Sequence, residues 1–211
     1  MEFIDYTGWL LFASVALYWI GVGVMIVRVR RKTKRLGGLV PERVGERVMW
    51  LLWAPLVAAW IASSFSAASH GSAWLGSRAL LAMAPVLALR SIAALAALLC
   101  LALTVRCWAQ MGQHWSMDIS ERNRALLFTD GAFARVRHPI YALSIALMIC
   151  SVIVVATMPM LIVAPLHIAL MFFKAASEER HLLRLHGDAY GKYVRRTGRF
   201  FPRWSGEDVR A

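Results

Sequence analysis

Long apolar blocks alternate with polar, mostly basic segments along the chain. A helix of about 20 residues spans roughly 30 Å, which is the thickness of a bilayer core. The last two blocks are short and are separated by the turn Thr157–Met158–Pro159, so they indicate a tight helical hairpin. The pattern predicts an all-α integral membrane protein with about five transmembrane helices, a cytoplasmic C-terminal helix and a tail. The five blocks lie at about residues 8–27, 48–68, 79–105, 139–156 and 160–173.

The composition supports the membrane class. Hydrophobic residues make up 59% of the 211 residues and charged residues 17%, against about 45–50% and 25% in an ordinary soluble domain. The mean hydropathy is +0.57. These values exclude a soluble globular domain and a disordered chain, because the apolar residues are both abundant and collected in blocks.

The positive charge indicates the topology. The net charge is +12, which could indicate nucleic-acid binding or the excess of Lys and Arg in cytoplasmic segments of membrane proteins. Of the 24 Lys and Arg residues, 22 lie in residues 28–47, 106–138 and 174–211, at alternate ends of the five blocks. We therefore expect a multi-pass protein of the inner or cytoplasmic membrane, with its N-terminus outside, its C-terminus cytoplasmic and no nucleic-acid partner.

Two parts of the chain are distinguished by this pattern. Residues 1–105 form an N-terminal part with three spans, and residues 106–211 form a second part that begins with a polar segment of 33 residues. A connection of that length is usually functional. Arg90 is a basic residue inside a predicted span, and two interpretations stay open. Its side chain could extend to the outer interface, or it could be a buried polar or substrate contact.

Two local patterns could carry chemistry. The first is Arg137-His138-Pro139-Ile140-Tyr141, where a polar segment enters a membrane helix and Pro139 suits the first helical position; a plain helix start with a basic flank is the alternative. The second is Glu178-Glu179, after the fifth block, where adjacent carboxylates need compensation unless they are simply solvated. Glu178 and His181 have a metal-ligand spacing, but no second such pair occurs, so no metal site is predicted.

Joined in order, these patterns resemble the isoprenylcysteine carboxyl methyltransferase family, which is similar to phospholipid methyltransferases. The resemblance covers about residues 100–204. The blocks that carry it are Trp108…Gly112…His114-Trp115-Ser116, Leu126-Leu127-Phe128-Thr129-Asp130-Gly131-Ala132-Phe133, Arg137-His138-Pro139-Ile140-Tyr141, Glu178-Glu179…Leu182…Gly187…Tyr190…Tyr193 and Arg199-Phe200-Phe201-Pro202.

The resemblance implies a membrane methyltransferase that uses S-adenosylmethionine and modifies a lipophilic acceptor, such as an isoprenylcysteine-like carboxylate or a related small lipid, at the cytoplasmic face. Arg137 and Glu178 are the implied catalytic residues, and Lys174 stands where related enzymes have an Arg that contacts the substrate carboxylate. The implied cofactor-binding residues are Ala125, Leu126, Leu127, Phe128, Phe133, His138, Tyr141, Glu178 and Glu179.

Two other functions remain as alternatives at the level of the sequence. One is an NADPH-dependent membrane enzyme similar to sterol reductases, although no Gly-rich dinucleotide loop is present. The other is a non-catalytic membrane protein of the same fold. Binding of S-adenosylmethionine, of NADPH or of neither separates the three.

Overall fold

The computed structural model describes residues 5–33, 44–70, 77, 79–115 and 127–203, and within them the protein is all-helical. Short 3-10 turns lie at Ala79–Ala82, Gly112–His114 and Gly131–Ala134. An isolated bridge pairs Val136 with Gly198. The six α-helices are α1 (Tyr6–Thr33), α2 (Val44–His70), α3 (Ala84–Met111), α4 (Pro139–Val154), α5 (Met158–His186) and α6 (Asp188–Arg196).

Four of these helices, α1, α2, α3 and α5, are long and apolar enough to cross a bilayer, and α4 is a shorter apolar helix. The predicted all-α integral membrane class is confirmed. At 1.5 Å per residue, the 16 residues of α4 extend about 24 Å. Because α4 and α5 are joined by residues 155–157 alone, they form the predicted hairpin.

The end of the fifth span differs from the sequence expectation. The sequence pattern ends that span at Phe173 and begins a separate C-terminal helix at Lys174, but α5 continues without a break to His186. The polar residues after Phe173 are good helix formers, so the change in polarity does not interrupt the backbone. The helix ends at Gly187, which has φ +49° and caps it as expected of glycine.

Two other helices also extend beyond the point at which the sequence changes from apolar to polar. Helix α1 runs past its apolar block through the basic residues to Thr33, and α3 extends to Met111. At the start of α3, Pro85 lies in the first turn and does not kink the helix. The preceding Ala79–Ala82 turn is separate from α3, so the predicted third block is not one continuous helix.

The core lies where α3 packs against α1 and α4, with α2 packed against α1 and α5. Small residues on α3, Ala93 and Ala97, are buried at this contact and allow close approach of the helix backbones. Trp60 of α2 is fully buried, and its indole N–H donates to Ser151 Oγ at 2.9 Å. Because α4 and α5 pack against each other as a hairpin, the start of α4 and the C-terminal part of α5 lie side by side.

Arg90 is buried, which settles the two interpretations left open by the sequence. Its side chain is 1% exposed and forms an ion pair with Asp5, which is 4% exposed. Its Nε also donates to the backbone oxygen of Val154 at 3.1 Å. Arg90 is therefore a buried polar contact, and Asp5, which precedes α1, supplies its counter-charge.

Candidate functional site

A short backbone pairing holds the chain after α6 against the segment that enters α4. The backbone N–H of Arg137 donates to the oxygen of Gly198 at 2.8 Å, and that of His138 donates to Arg199 at 3.0 Å. In return, Gly198 N–H donates to the oxygen of Arg135 at 3.2 Å. This pairing fixes residues that are far apart in sequence at the open end of the α4–α5 hairpin, where α4 begins at Pro139; we call this end the mouth of the hairpin.

Glu179 is the centre of an ion-pair network at this mouth. Its carboxylate accepts hydrogen bonds from Arg137 Nε at 2.9 Å and from Arg199 Nε at 3.0 and 3.1 Å. Arg137 also donates to the backbone oxygen of Thr197. The side chain of Glu179 is only 14% exposed. Its ion pairs join α5 to the segment before α4 and to the segment after α6.

Glu178 has different partners, because neighbours on a helix point about 100° apart. It accepts a hydrogen bond from the hydroxyl of Tyr141 on α4 and lies 3.3 Å from Nδ1 of His138. No arginine among the described residues pairs with it. Its side chain is 22% exposed, so it is not fully enclosed by these partners.

His138 connects the two carboxylates. It is buried, and its two ring nitrogens lie 3.3 Å from Glu178 and 3.4 Å from Glu179. The imidazole stacks on Tyr141 with ring centroids 5.4 Å apart and planes 6° from parallel. Burial disfavours the charged imidazolium, but the two carboxylates outweigh it and raise the pKa of His138.

Lys174 lies one helical turn before Glu178, also on α5. Its side chain is buried, and its charge is close enough to attract the Glu178 carboxylate. Phe172 and Phe173, the residues just before it, are both exposed. The polar site therefore begins directly after an apolar, outward-facing part of α5.

Aromatic side chains close the site on the side of α6. Phe133 is buried, packs on Phe128 at 5.7 Å and accepts a backbone hydrogen bond from the Tyr193 hydroxyl at 2.6 Å. Burial raises the pKa of Tyr193 to about 12. Tyr190 is buried, and its hydroxyl has no hydrogen-bond partner among the described residues. Burial and the charge of Glu179 raise the pKa of Tyr190.

The structure brings together most of the candidate residues. Leu127 is half-buried at the start of the described segment that contains Phe128 and Phe133, whereas Ala125 and Leu126 lie outside the described residues. The sequence analysis missed the pairing of Arg199 with Glu179, although Arg199 lies in one of the motif blocks. The grouped candidates are Arg137, His138, Tyr141, Lys174, Glu178 and Glu179.

Comparisons with known proteins find a matching family and a partial relative. Residues 92–184 match the isoprenylcysteine carboxyl methyltransferase (ICMT) family, which confirms the resemblance predicted from the sequence. The matched range includes the start of α4 and both glutamates. The chain is also 31% identical over 98 residues to the nickel-cobalt-cadmium resistance protein NccN of Alcaligenes xylosoxydans xylosoxydans. That match covers 46% of each chain, so it spans about half the length of this relative.

Proposed function

We propose that this membrane protein, similar over residues 92–184 to the ICMT family, transfers a methyl group from S-adenosylmethionine to a lipophilic acceptor at the cytoplasmic face. The observation that carries the proposal is the Glu178 carboxylate. Its side chain is 22% exposed and is held by Tyr141 and His138. A carboxylate without an arginine partner among the described residues, next to the ring of Tyr141, suits the cationic groups of a small cofactor.

The residues present fit this cofactor. S-adenosylmethionine carries a sulfonium and an ammonium, which need a carboxylate or aromatic faces, and a carboxylate, which needs a cation or a hydrogen-bond donor. Glu178 would hold the cationic part, since two arginines already neutralise Glu179. His138, with its raised pKa, and the aromatic rings of Phe133 and Tyr141 would supply the remaining contacts.

When bound, the cofactor supplies a sulfonium-bound methyl group that an acceptor lone pair takes while the C–S electrons stay on sulfur. The protein's contribution is mainly positioning, because alignment of two bound reactants supplies most of the catalysis in such a displacement. Arg137 and Arg199 act through Glu179, because their ion pairs fix α5 against the start of α4. Glu178, the residue directly before Glu179, is held in place by the same contacts. Arg137 is accordingly a positioning residue in this proposal.

The acceptor approaches from the bilayer. Phe172 and Phe173 are exposed on α5 immediately before the buried Lys174. A lipophilic chain lying along this face places its polar end at the level of Lys174. Lys174 then provides a positive charge for an acceptor carboxylate, although as a point charge and not as the bidentate fork of an Arg. A carboxylate acceptor needs no general base, because its oxygen is already nucleophilic.

The name of NccN refers to resistance to nickel, cobalt and cadmium. In the part of the chain that the structure describes, no three His, Cys, Asp or Glu side chains come together in a way that could hold a metal ion.

The first experiment measures ligand stabilisation of the purified protein in detergent. S-adenosylmethionine should raise the Tm, and NADPH should not, because only a ligand that binds the folded state stabilises it. The same preparation, given methyl-labelled S-adenosylmethionine and a membrane lipid extract, should label a lipid-soluble product. A rise in Tm with NADPH alone would contradict the proposal, and so would the absence of a rise with either ligand.

A further inference from the structure

A basic cavity of about 320 Å³ lies next to the backbone pairing between residues 135–138 and 198–199. Its volume falls in the range of small-ligand pockets, about 300–1,000 Å³. Three of its five lining residues are arginines and none is acidic. It is lined by Ala134, Arg135, Arg196, Pro202 and Arg203.

The three arginines have no carboxylate partner within the described ranges. This separates them from their close neighbours in sequence, Arg137 and Arg199, which both pair with Glu179. Three like charges around one cavity repel each other. An anion in the cavity would remove that cost.

The cavity walls are held in place by other contacts. Arg203 donates from Nη1 to the backbone oxygens of Val194 at 3.3 Å and Arg195 at 2.6 Å. The guanidinium of Arg196 lies over the ring of Tyr193, 5.7 Å from its centroid. A basic, anion-binding site whose walls are already ordered loses less entropy when its ligand binds.

An exposed aromatic residue adjoins the cavity. Phe201, next to the lining residue Pro202, is 79% exposed. Phe200, before it, is buried against Phe172 of α5, with ring centroids 4.7 Å apart. The cavity is thus tied through Phe200 to the membrane-crossing helix, and an exposed apolar ring stands beside its lining residue Pro202.

We propose that this cavity binds the phosphate of an anionic phospholipid headgroup. Guanidinium groups suit phosphate because their N–H donors form a planar fork, and basic pockets of membrane proteins hold such headgroups. The bound lipid is distinct from the methyl acceptor. It anchors the segment after α6, which in turn positions Arg199 against Glu179.

The test is thermal unfolding of the full chain in neutral detergent, titrated separately with short-chain phosphatidylglycerol, short-chain phosphatidylcholine and inorganic phosphate. Phosphatidylglycerol should raise the Tm by about 2–4 °C or more. The other two should have little effect. An equal rise with inorganic phosphate would overturn the assignment to a lipid, and an equal rise with phosphatidylcholine would overturn the assignment to an anion.

Variants locate the effect. Replacing the three cavity arginines, in R135A/R196A/R203A, should abolish the stabilisation by phosphatidylglycerol. The control R180A/R184A/R195A removes three arginines that are exposed, as the cavity arginines are, but do not line the cavity; it should keep the stabilisation. Retained stabilisation in the first variant, or its loss in both, would overturn the proposal.

A single variant covers the case in which the triple variant does not fold, since Arg203 also contacts the end of α6. Arg135→Glu changes a side chain with no such contact and should by itself remove the stabilisation; if it does not, the cavity is not the site. S-adenosylmethionine binding, measured in the same neutral detergent without added lipid, should be equal in Arg135→Glu and in the native protein. Its loss would assign the cavity to the cofactor and overturn the lipid proposal.

Discussion

Oε1 of Glu179 accepts a hydrogen bond from Nε of Arg137 at 2.9 Å, across 42 positions of the chain. This contact joins the start of α4 to the part of α5 that continues past the apolar block. It exists because α5 does not end at Phe173. The position next to it, Glu178, is turned toward Tyr141 and His138, so one glutamate braces the site and its neighbour faces it.

We predict that Glu178→Gln weakens S-adenosylmethionine binding by roughly tenfold to a hundredfold. The loss of one charged hydrogen bond costs about 1.5–3 kcal/mol, which corresponds to that change in affinity. Stability should fall less than in Glu179→Gln, because Gln can still accept a hydrogen bond from Tyr141 and only the ion pairing with His138 is lost. Calorimetric titration measures the affinity. Unchanged affinity with an intact fold would remove the main support for the cofactor site.

Glu179→Gln should lower the stability of the protein more than it lowers the affinity for the cofactor. Arg137 and Arg199 lose their counter-charge in a partly buried position, so the free energy of unfolding should fall by about 1–3 kcal/mol. Thermal or denaturant unfolding in detergent measures this loss. Cofactor affinity should fall less than in Glu178→Gln, and a larger fall would mean that the roles of the two glutamates are exchanged.

A third prediction concerns the buried pair of Arg90 and Asp5. Removing one partner leaves an uncompensated charge, so Arg90→Met and Asp5→Asn should each destabilise the protein by about 3–5 kcal/mol. The double variant should lose much less than the sum, because neither charge is then left alone. Additive losses would mean that the two side chains do not depend on each other.

A fourth prediction concerns pH and His138, which faces Glu178, Glu179 and Tyr141, with Arg137 and Arg199 beyond Glu179. The folded-state pKa of His138 is raised above its ordinary value of about 6.5. Its ion pairing therefore stabilises the fold fully below about pH 6.5, and that stability is lost as the pH rises through the folded-state pKa. His138→Gln should lack this part of the pH dependence. Parallel pH profiles of the Tm for both proteins would contradict the prediction.

The sequence predicts the membrane class well because bilayer thickness imposes a length on every span. It predicts helix ends poorly where a polar segment keeps high helix propensity, as after Phe173 and through the basic residues at the end of α1. Pro139 and Gly187 mark ends correctly because each acts directly on the backbone.

The candidate site was predicted in part for a related reason. Arg137, His138 and Tyr141 lie in one local motif, and Glu178 lies in a second, so both were visible in the sequence. Their joining by Arg199 was not visible, because it depends on the chain after α6 returning to pair with residues 135–138. The burial of Arg90 likewise depended on Asp5, 85 positions away.

A fifth prediction addresses the acceptor. If Lys174 attracts an acceptor carboxylate, Lys174→Met should raise the KM for a carboxylate acceptor more than it lowers kcat, since a uniform binding contact is removed. Affinity for S-adenosylmethionine should change less than in Glu178→Gln. Lys174→Arg, which keeps the charge, should restore most of the lost affinity for the acceptor. Equal KM values in the native protein and Lys174→Met would exclude this role.

The last prediction concerns orientation. Because residues 28–47, 106–138 and 174–211 hold 22 of the 24 Lys and Arg residues, we expect these three segments at the cytoplasmic side and residues 71–76 outside. Native Cys100, Cys107 and Cys150 are buried, so cysteines introduced at Ser72 and Gly206 are suitable reporters. A membrane-impermeant maleimide added to intact cells should label Ser72→Cys directly, and Gly206→Cys only after the membrane is permeabilised. Labelling of both from outside would exclude an odd number of spans between them, and the reverse pattern would place the glutamate pair on the outer face.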